Sequence, residues 1–381
     1  MPYLTQKFGN AASRIHSFGE EAAAAVQAAR EKVADLIGAT ADAIVFTSGA
    51  TESNNLAIKG AAGIYASKGQ HIITCLAEHK AVLDPCRHLE KLGYEVTWLK
   101  PDQFGQVSAE QVENAIADRT ILISIMAANN EIGTINPVER IGAAAKRRKV
   151  LFHCDATQAV GKIPIDVERM GIDLLSMSAH KMYGPKGVGA LYVRRRDPRV
   201  RLDCQMHGGG HEYGMRSGTL NVPGIVGMGA AAEIAASEMA DEAQRLTALR
   251  DRLEKGVMER LDYVRLNGHP TERLPGTVNL SFAYVEGESV MLKMKDIAVS
   301  SGSACTSASL EPSHVLTAMG VPEDMVHNSI RFSLGRLTRP DEIEYTVEQV
   351  VKAVTELREL SPLYDMAMAG IDLGKVQWKE V

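Results

Sequence analysis

The 381-residue sequence lacks several features that mark particular classes of protein. Its five cysteines are odd in number and widely spaced, without a Cys-x-x-Cys pair, which argues against a disulfide framework and a structural zinc site. No apolar run approaches the roughly 20 residues of a membrane span, and the first residues lack the apolar core of a secretory signal. A net charge of −5 provides no basic surface for nucleic acid or an anionic membrane. We therefore expect a protein of a reducing, cytoplasm-like compartment that binds neither nucleic acid nor membrane.

The chain length and the order of its apolar runs predict two domains. From residue 22 to about residue 229, short β-rich runs alternate with amphipathic helical stretches, which predicts a mostly parallel, doubly wound sheet. The seven predicted strands are residues 43–46, 71–75, 95–99, 120–126, 150–154, 172–177 and 188–193. Helices are predicted at residues 54–67, 81–92, 109–117, 138–148 and about 225–261. We expect a large domain over residues 1–235, a smaller α/β domain over residues 236–381, and an extended tail over the last twenty residues.

The stretch from residue 173 to residue 192 carries the clearest chemical signal. An apolar, strand-like run leads to Ser178, His180 and Lys181, and a Gly/Pro turn then returns the chain into the next predicted strand. A lysine at a strand end suits Schiff-base chemistry, because its amine must be partly desolvated to be neutral and nucleophilic. A pyridoxal phosphate enzyme needs such a lysine, a carboxylate for the pyridine nitrogen and a phosphate site. The alternative is a solvated loop lysine, since most lysines are exposed.

Two further strand ends offer the partners that this chemistry needs. After the first predicted strand, small residues and Thr51 precede a helix, and free N–H groups at a helix N-terminus favour phosphate. An ordinary N-cap fits the same pattern. Asp155 and Gln158 follow the fifth predicted strand. Asp155 can pair with a pyridinium N–H and Gln158 can reach a phenolic oxygen, although such residues are also common in turns.

Three more polar residues are candidates for the same site. His79 follows the second predicted strand, where its ring either stacks on a flat cofactor and moves protons or caps the next helix. Asn130 follows the fourth, where its amide either binds a carboxylate or forms the turn. Ile330 and Phe332 share one face of a later strand, so Arg331 points to the other face. Arg331 is then either a bidentate ligand for a substrate carboxylate or a surface residue.

The candidates that follow strands of the large domain are expected to meet. They are Thr51, His79, Asn130, Asp155, Gln158 and Lys181. Parallel strands of an α/β sheet collect their ligand beyond their carboxyl ends, so one site would receive all of these side chains.

Cys305 lies in a stretch of small, polar residues, 300–309, that contains few side chains able to pack into a core. It is either a nucleophile that travels to the site or an incidental surface thiol.

Taken together, these motifs resemble those of the cysteine desulfurases of the IscS/NifS type, within the fold-type-I pyridoxal phosphate enzymes. The resemblance extends from Phe8 to the last residues. The matching motifs are Phe8-Gly-Asn-Ala-Ala-Ser, Thr47-Ser-Gly-Ala-Thr-Glu-Ser, Ala77-Glu-His-Lys, Asn129-Asn-Glu-Ile-Gly, Asp155-Ala-Thr-Gln, Ser178-Ala-His-Lys-Met-Tyr-Gly-Pro-Lys-Gly, Met215-Arg-Ser-Gly-Thr and Ser300-Ser-Gly-Ser-Ala-Cys-Thr-Ser.

The resemblance implies an enzyme that takes sulfur from L-cysteine, releases L-alanine and holds the sulfur as a persulfide on Cys305. It implies that Lys181 forms the Schiff base with pyridoxal 5′-phosphate and that His79 stacks on the ring and shuttles protons. The implied cofactor-binding residues are Ala50, Thr51, Asn130, Asp155, Gln158, Ser178, His180 and Lys181, joined by Thr219 from a second subunit. Asn130 and Arg331 would bind the carboxylate of cysteine.

The resemblance also implies partners and a compartment. The expected assembly is a cytoplasmic homodimer, or one of an organelle matrix, that passes sulfur to an iron–sulfur scaffold protein and to other acceptors. Cys305 would share a [2Fe–2S] cluster ligand position with the scaffold, which would dock near Trp378. The basic run at residues 194–201 would bind acidic regulators.

One departure from the family pattern concerns the start of the sequence. Relatives usually begin with a segment resembling Asp-x-x-Ala-Thr-Thr-Pro, which this sequence does not contain. We expect cofactor binding to survive this difference and turnover to be weaker. The alternatives are a selenocysteine lyase, a transaminase or another class V pyridoxal phosphate enzyme, or a shortened, catalytically impaired partner of the assembly machinery. A transaminase needs no reactive thiol, so Cys305 disfavours it.

Overall fold

The structure is a computed structural model that describes residues 1–13, 15–301 and 312–371. The helices are α1 (Pro2–Thr5), α2 (Ser17–Leu36), α3 (Ala50–Tyr65), α4 (Lys80–Lys91), α5 (Ala109–Ala115), α6 (Val138–Arg148), α7 (Val222–Met258), α8 (Gly287–Lys293), α9 (His314–Ala318), α10 (Glu323–His327), α11 (Pro340–Arg358) and α12 (Pro362–Met368). The strands are β1 (Ile44–Thr47), β2 (His71–Cys75), β3 (Glu95–Leu99), β4 (Thr120–Ser124), β5 (Leu151–Asp155), β6 (Leu174–Ser178), β7 (Gly189–Val193), β8 (Val264–Asn267), β9 (Thr277–Phe282), β10 (Ser300–Ser301) and β11 (Ser329–Ser333).

The chain divides into two compact units. The first consists of Met1–Asn130 with Thr134–Ala243, and the second of Glu131–Gly133 with Gln244–Val381. The division falls inside α7, which also contains the predicted boundary after residue 235. Each unit has its own sheet and its own buried apolar core.

The first unit is built on a seven-stranded sheet in the order β1-β7-β6-β5-β4-β2-β3. The strand β7 is antiparallel to both of its neighbours, and the remaining pairs are parallel. Four central strands are buried along their whole length (β2, β4, β6 and β7), so they lack the alternation of buried and exposed side chains that a one-sided sheet shows. Polar side chains such as Thr74 and Ser176 are buried among the apolar ones. Because every strand except β7 runs the same way, their carboxyl ends lie along one edge of the sheet.

The second unit carries a four-stranded antiparallel sheet in the order β10-β11-β9-β8. In β11 the side chains of Ile330 and Phe332 are buried in the core of this unit, whereas Arg331 between them is half-buried. The alternation that the sequence predicted for this strand is therefore observed. Leu249 and Leu253 of the last turns of α7, and Val350 of α11, contribute to the same core.

The predicted α/β architecture with a mostly parallel seven-stranded sheet is confirmed. Two local predictions are wrong. First, α3 begins at Ala50 and not at residue 54, because Gly49 supplies an N-cap with φ +155° that lets the chain turn directly from β1 into the helix. Second, the last twenty residues are not wholly extended, since Pro362 begins the short helix α12. No described helix is both long and apolar enough to cross a membrane.

Candidate active site

The N-terminus of α3 forms one end of the site. Gly49 joins β1 to this helix and lies against β7, since a Cβ on Gly189 would come within 2.7 Å of the Gly49 Cα. Gly189 is also the register partner of Ser178 at the end of β6. The first N–H groups of a helix have no partner within the helix, so Ala50 and Thr51 direct donors to the same sheet edge as Ser178. The geometry suits an anion such as phosphate.

Ser178 and His180 lie at the same corner. The Ser178 Oγ is 2.8 Å from the His180 Nδ1 and 3.8 Å from the position that a Cβ on Gly49 would occupy. Partial desolvation lowers the pKa of His180, and the positive charges of Lys181 and Lys186 lower it further. The imidazole is therefore neutral near pH 7 and can accept or donate a hydrogen bond.

Lys181 follows Ser178 in a short 3-10 turn, Ala179–Met182. Its side chain is half-buried, and its neighbours Ala179 and Met182 are buried. The turn ends at Tyr183, which has φ +64°. Because buried side chains hold the backbone on one side and a left-handed residue turns it on the other, the position of Lys181 relative to β6 is well defined.

The carboxylate of Asp155 is buried at the end of β5. One of its oxygens, Oδ2, accepts a hydrogen bond from the Asn54 Nδ2 at 2.7 Å, and the other accepts one from the Thr157 N–H at 3.0 Å. The side chain of Gln158, half-buried, accepts a hydrogen bond from the Lys162 Nζ at 2.9 Å. The predicted pair Asp155 and Gln158 thus lies on the same turn beyond the same strand.

His79 is the N-cap of α4, one of the two roles that the sequence left open. Its Nδ1 accepts a hydrogen bond from the Ala81 N–H at 3.1 Å. The neutral ring therefore carries its proton on Nε2, and the cap fixes the ring beside the carboxyl end of β2. Capping does not conflict with stacking on a cofactor, because the cap uses an atom in the ring plane and not the ring face.

The turns after β2 and β4 are tied together by groups that sequence reasoning missed. Glu78 is fully buried, and its Oε1 accepts a hydrogen bond from the Met126 N–H at 2.7 Å. Burial raises the pKa of Glu78 well above its usual value. Asn129 donates to the Ala77 carbonyl at 2.9 Å. These contacts position the neighbouring Asn130, which is half-buried. The position of Glu78 directly before His79 is the one sequence signal that points to these contacts.

The glycine-rich loop before α7 is held to α2 and α3 by two ion pairs, which sequence reasoning also missed. The Arg30 guanidinium makes a bidentate, buried contact with Glu212, whose Oε2 also accepts the Phe46 N–H at 2.7 Å. Arg216 pairs with Glu52 on α3 at 2.8 Å. The loop that carries the exposed Thr219 is thus fixed beside the first turn of α3.

Of the remaining candidates, Arg331 belongs to the second unit. Arg331 is half-buried in β11 and pairs in register with Ser300 of β10 and Asn279 of β9. Cys305, the predicted nucleophile, and Trp378, the predicted docking residue, lie outside the described residues. In the first unit, the sheet edge brings together Ala50, Thr51, His79, Asn130, Asp155, Gln158, Ser178, His180 and Lys181. Among the described residues there is no group of three or more His, Cys, Asp or Glu side chains that could hold a metal ion.

Comparisons with known proteins identify close relatives of the whole chain. The chain is 59% identical over 378 residues to a protein named cysteine desulfurase IscS from Anaeromyxobacter dehalogenans, with 99% of this chain and 93% of that protein covered. It is 60% identical over 375 residues to a protein of the same name from Tolumonas auensis, with 98% and 92% covered.

Solved structures give the same result. A structure titled NifS-like protein has a TM-score of 0.86 and 38% identity, with 93% of this chain and 94% of that chain covered. A structure titled SspA in complex with cysteine has a TM-score of 0.77 and 42% identity, with 87% and 92% covered. The family described as aminotransferase class-V matches residues 1–346. The chain therefore belongs to the class-V aminotransferase family.

Proposed function

We propose that this protein is a cysteine desulfurase that uses pyridoxal 5′-phosphate to remove sulfur from L-cysteine and release L-alanine. One structural observation carries the proposal. Lys181, the buried Asp155 carboxylate and the N-terminus of α3 follow three strands whose carboxyl ends share one edge of one sheet. The relatives named cysteine desulfurase IscS match nearly the whole chain, which supports cysteine as the substrate.

The residues of this edge fit pyridoxal 5′-phosphate. The first turn of α3, with Ser178 and His180, offers hydrogen-bond donors for the phosphate. Asp155 offers a buried, hydrogen-bonded carboxylate for the pyridine nitrogen, and Lys181 offers an amine for the aldehyde. When bound, the cofactor would supply an electron sink for a negative charge that develops on the substrate carbon.

The chain's own residues would bind the substrate and move its protons. The guanidinium of Arg331 can bind the carboxylate of cysteine through two parallel hydrogen bonds, with the amide of Asn130 as a second donor. The Lys181 amine can take and return a proton at the substrate carbon. His79 can pass a proton through Nε2, because its Nδ1 is engaged by the Ala81 N–H. Gln158 would donate to the phenolic oxygen of the ring.

Cys305 would accept the sulfur. Its thiolate attacks the substrate sulfur, and an S–S bond forms as the C–S bond breaks. The electron pair of the broken bond stays with the substrate carbon, which takes up a proton and leaves as part of alanine. The persulfide would then pass to an iron–sulfur scaffold protein and to other acceptors, and Cys305 would share a cluster ligand position with that scaffold.

The proposed assembly is a homodimer of the cytoplasm. Thr219 is exposed in the chain, on a loop fixed from its own side by Glu212 and Arg216. It would complete the phosphate site of the second subunit. The mass of the protein in solution tests the homodimer. The affinity of the Thr219→Val variant for the cofactor tests the role of Thr219 in the phosphate site.

The deciding assay supplies L-cysteine and a reductant and measures alanine and sulfide together. Cys305→Ala should keep the bound cofactor and release no sulfide, because the variant lacks the thiol that is assigned to take the sulfur. The matched control is Cys204→Ala, since Cys204 is a half-buried thiol of a loop in the first unit; it should match the parent protein. Sulfide release by Cys305→Ala at the parent rate would contradict the assignment of the nucleophile.

A second variant tests the amine. Lys181→Ala should lack the visible absorption of the bound cofactor after gel filtration, and it should form neither alanine nor sulfide. Lys68→Ala, which removes an exposed lysine, is the control and should retain both. Normal absorption and turnover in Lys181→Ala would show that another amine holds the cofactor.

A further inference from the structure

We propose that Asn54 is a positioning residue, which holds the Asp155 carboxylate in the orientation that pairs with the pyridine nitrogen of the cofactor. The inference rests on the proposed function. Asn54 has no role in the motifs considered above, yet its amide makes a long-range, buried polar contact with a residue of the candidate site.

The contact is direct and buried. Asn54 is 0% exposed and Asp155 is 4% exposed. The Asn54 Nδ2 donates to the Asp155 Oδ2 at 2.7 Å across a sequence separation of 101 residues. It therefore links α3 to the carboxyl end of β5.

This hydrogen bond fixes the plane of the carboxylate. The terminal torsion of an aspartate is broad and has no sharp preference of its own. The Thr157 N–H, two residues away in the chain, restrains one oxygen at 3.0 Å. The second oxygen is restrained by Asn54 from a different element, so the plane is set by two donors on two sides. A group that must face a ring nitrogen requires such a fixed plane.

The surroundings of Asn54 argue against a role in packing alone. Its Oδ1 is buried and has no hydrogen-bond partner among the residues that the structure describes. A buried acceptor without a partner lowers stability, and an apolar side chain of similar size would avoid that penalty. The amide is therefore explained by what its Nδ2 does, which is to donate to Asp155.

The place of Asn54 on α3 links the two ends of the proposed cofactor site. It lies four residues after Ala50 and three after Thr51, so it shares a helix face with the first turn. The same helix would then hold the phosphate through its N-terminus and orient the carboxylate that pairs with the pyridine nitrogen. Loss of the Asn54 amide should loosen the ring end and leave the phosphate end intact.

The test compares Asn54→Leu, which keeps the size and removes the donor, with Asn55→Leu on the same helix. Asn55 donates within its own helix, to the Thr51 carbonyl. We expect Asn54→Leu to raise the dissociation constant for pyridoxal 5′-phosphate, titrated into the apoprotein, by roughly tenfold, as for loss of one hydrogen bond to a charged group. We expect kcat to fall with KM for cysteine unchanged. Asn55→Leu should stay within about twofold of the parent protein in each quantity.

A double-mutant cycle with Asp155→Ala separates positioning from packing. If Asn54 acts through Asp155, Asn54→Leu should change cofactor affinity by less than about twofold when Asp155 is already replaced. Circular dichroism of each apoprotein checks folding, and Asn54→Ser replaces the leucine variant if that one does not fold. An equal loss of affinity in both backgrounds would overturn the inference, as would a leucine variant with parental affinity and kcat. A parent protein that binds no pyridoxal 5′-phosphate would instead overturn the proposed function, and this inference with it.

Discussion

His153 should make the protein less stable in acid by a predictable amount. It lies in β5, fully buried, with its Nδ1 2.8 Å from the Ser124 Oγ and its Nε2 3.0 Å from the Ser176 Oγ. Each hydroxyl can donate or accept, so the neutral ring satisfies both contacts. Desolvation lowers the pKa of His153 from 6.5 to about 4, although the nearby Asp155 acts in the opposite direction.

The size of the effect follows from this pKa. Below pH 6.5 the unfolded chain binds a proton at His153, whereas the native protein does not until about pH 4. The unfolded state therefore holds more protons, and the free energy of unfolding falls as the pH falls. A pH of about 5 lies about 1.5 units below the pKa of the imidazole in the unfolded chain. Each unit corresponds to 1.36 kcal/mol, so the free energy of unfolding falls by about 2 kcal/mol.

The assay measures urea unfolding of the parent protein and of His153→Gln at about pH 8 and about pH 5. Glutamine does not titrate, so the free energy of unfolding of the variant does not fall for this reason. The difference in free energy of unfolding between the two proteins should therefore change by about 2 kcal/mol in favour of the variant at the lower pH. Glu78, whose pKa burial raises, pushes the pH dependence the other way, but it is present in both proteins and cancels in the difference. A gap that does not change with pH would refute the reasoning.

Two more predictions follow from buried or strained groups. Arg30→Met should lower the free energy of unfolding by about 3–5 kcal/mol, because it leaves the Glu212 carboxylate buried and unpaired. Urea unfolding measures this loss. The double variant with Arg30→Met and Glu212→Met should recover most of the lost stability. Gly49→Ala should weaken binding of pyridoxal 5′-phosphate to the apoprotein, because φ +155° is strained for any other residue. Gly320→Ala, also at positive φ but with open space around it, should cost stability without weakening that binding.

The positions of the candidate residues could be predicted because they depend on local sequence order. Asp155 and Ser178 are the last residues of β5 and β6, which are rich in apolar residues, and Lys181 lies three residues after Ser178. Once the alternation of strands and helices indicates a parallel sheet, the carboxyl ends must share one edge. The predicted start of α3 is four residues too late, because the periodicity of apolar residues contains no information about a turn made by the single residue Gly49.

The contacts that orient these residues could not be predicted in the same way. Asn54 and Asp155 are 101 residues apart, and Arg30 and Glu212 are 182 apart. Neither pair produces a periodic signal, since a buried polar residue on an apolar helix face resembles a surface position in the sequence. Glu78 illustrates the same difficulty, because it reads as a solvated charge and is fully buried.

The glycine-rich loop shows why such contacts bear on function. Thr219 is exposed, and it can serve a second subunit only if its loop keeps one shape without help from that subunit. Glu212 provides this by bonding to Arg30 and to the Phe46 N–H from the inner side, and Arg216 does so at Glu52. These contacts join the loop to α2, β1 and α3 of its own chain. Because none of them uses Thr219, its side chain stays exposed, as the proposed role of Thr219 in a second subunit requires.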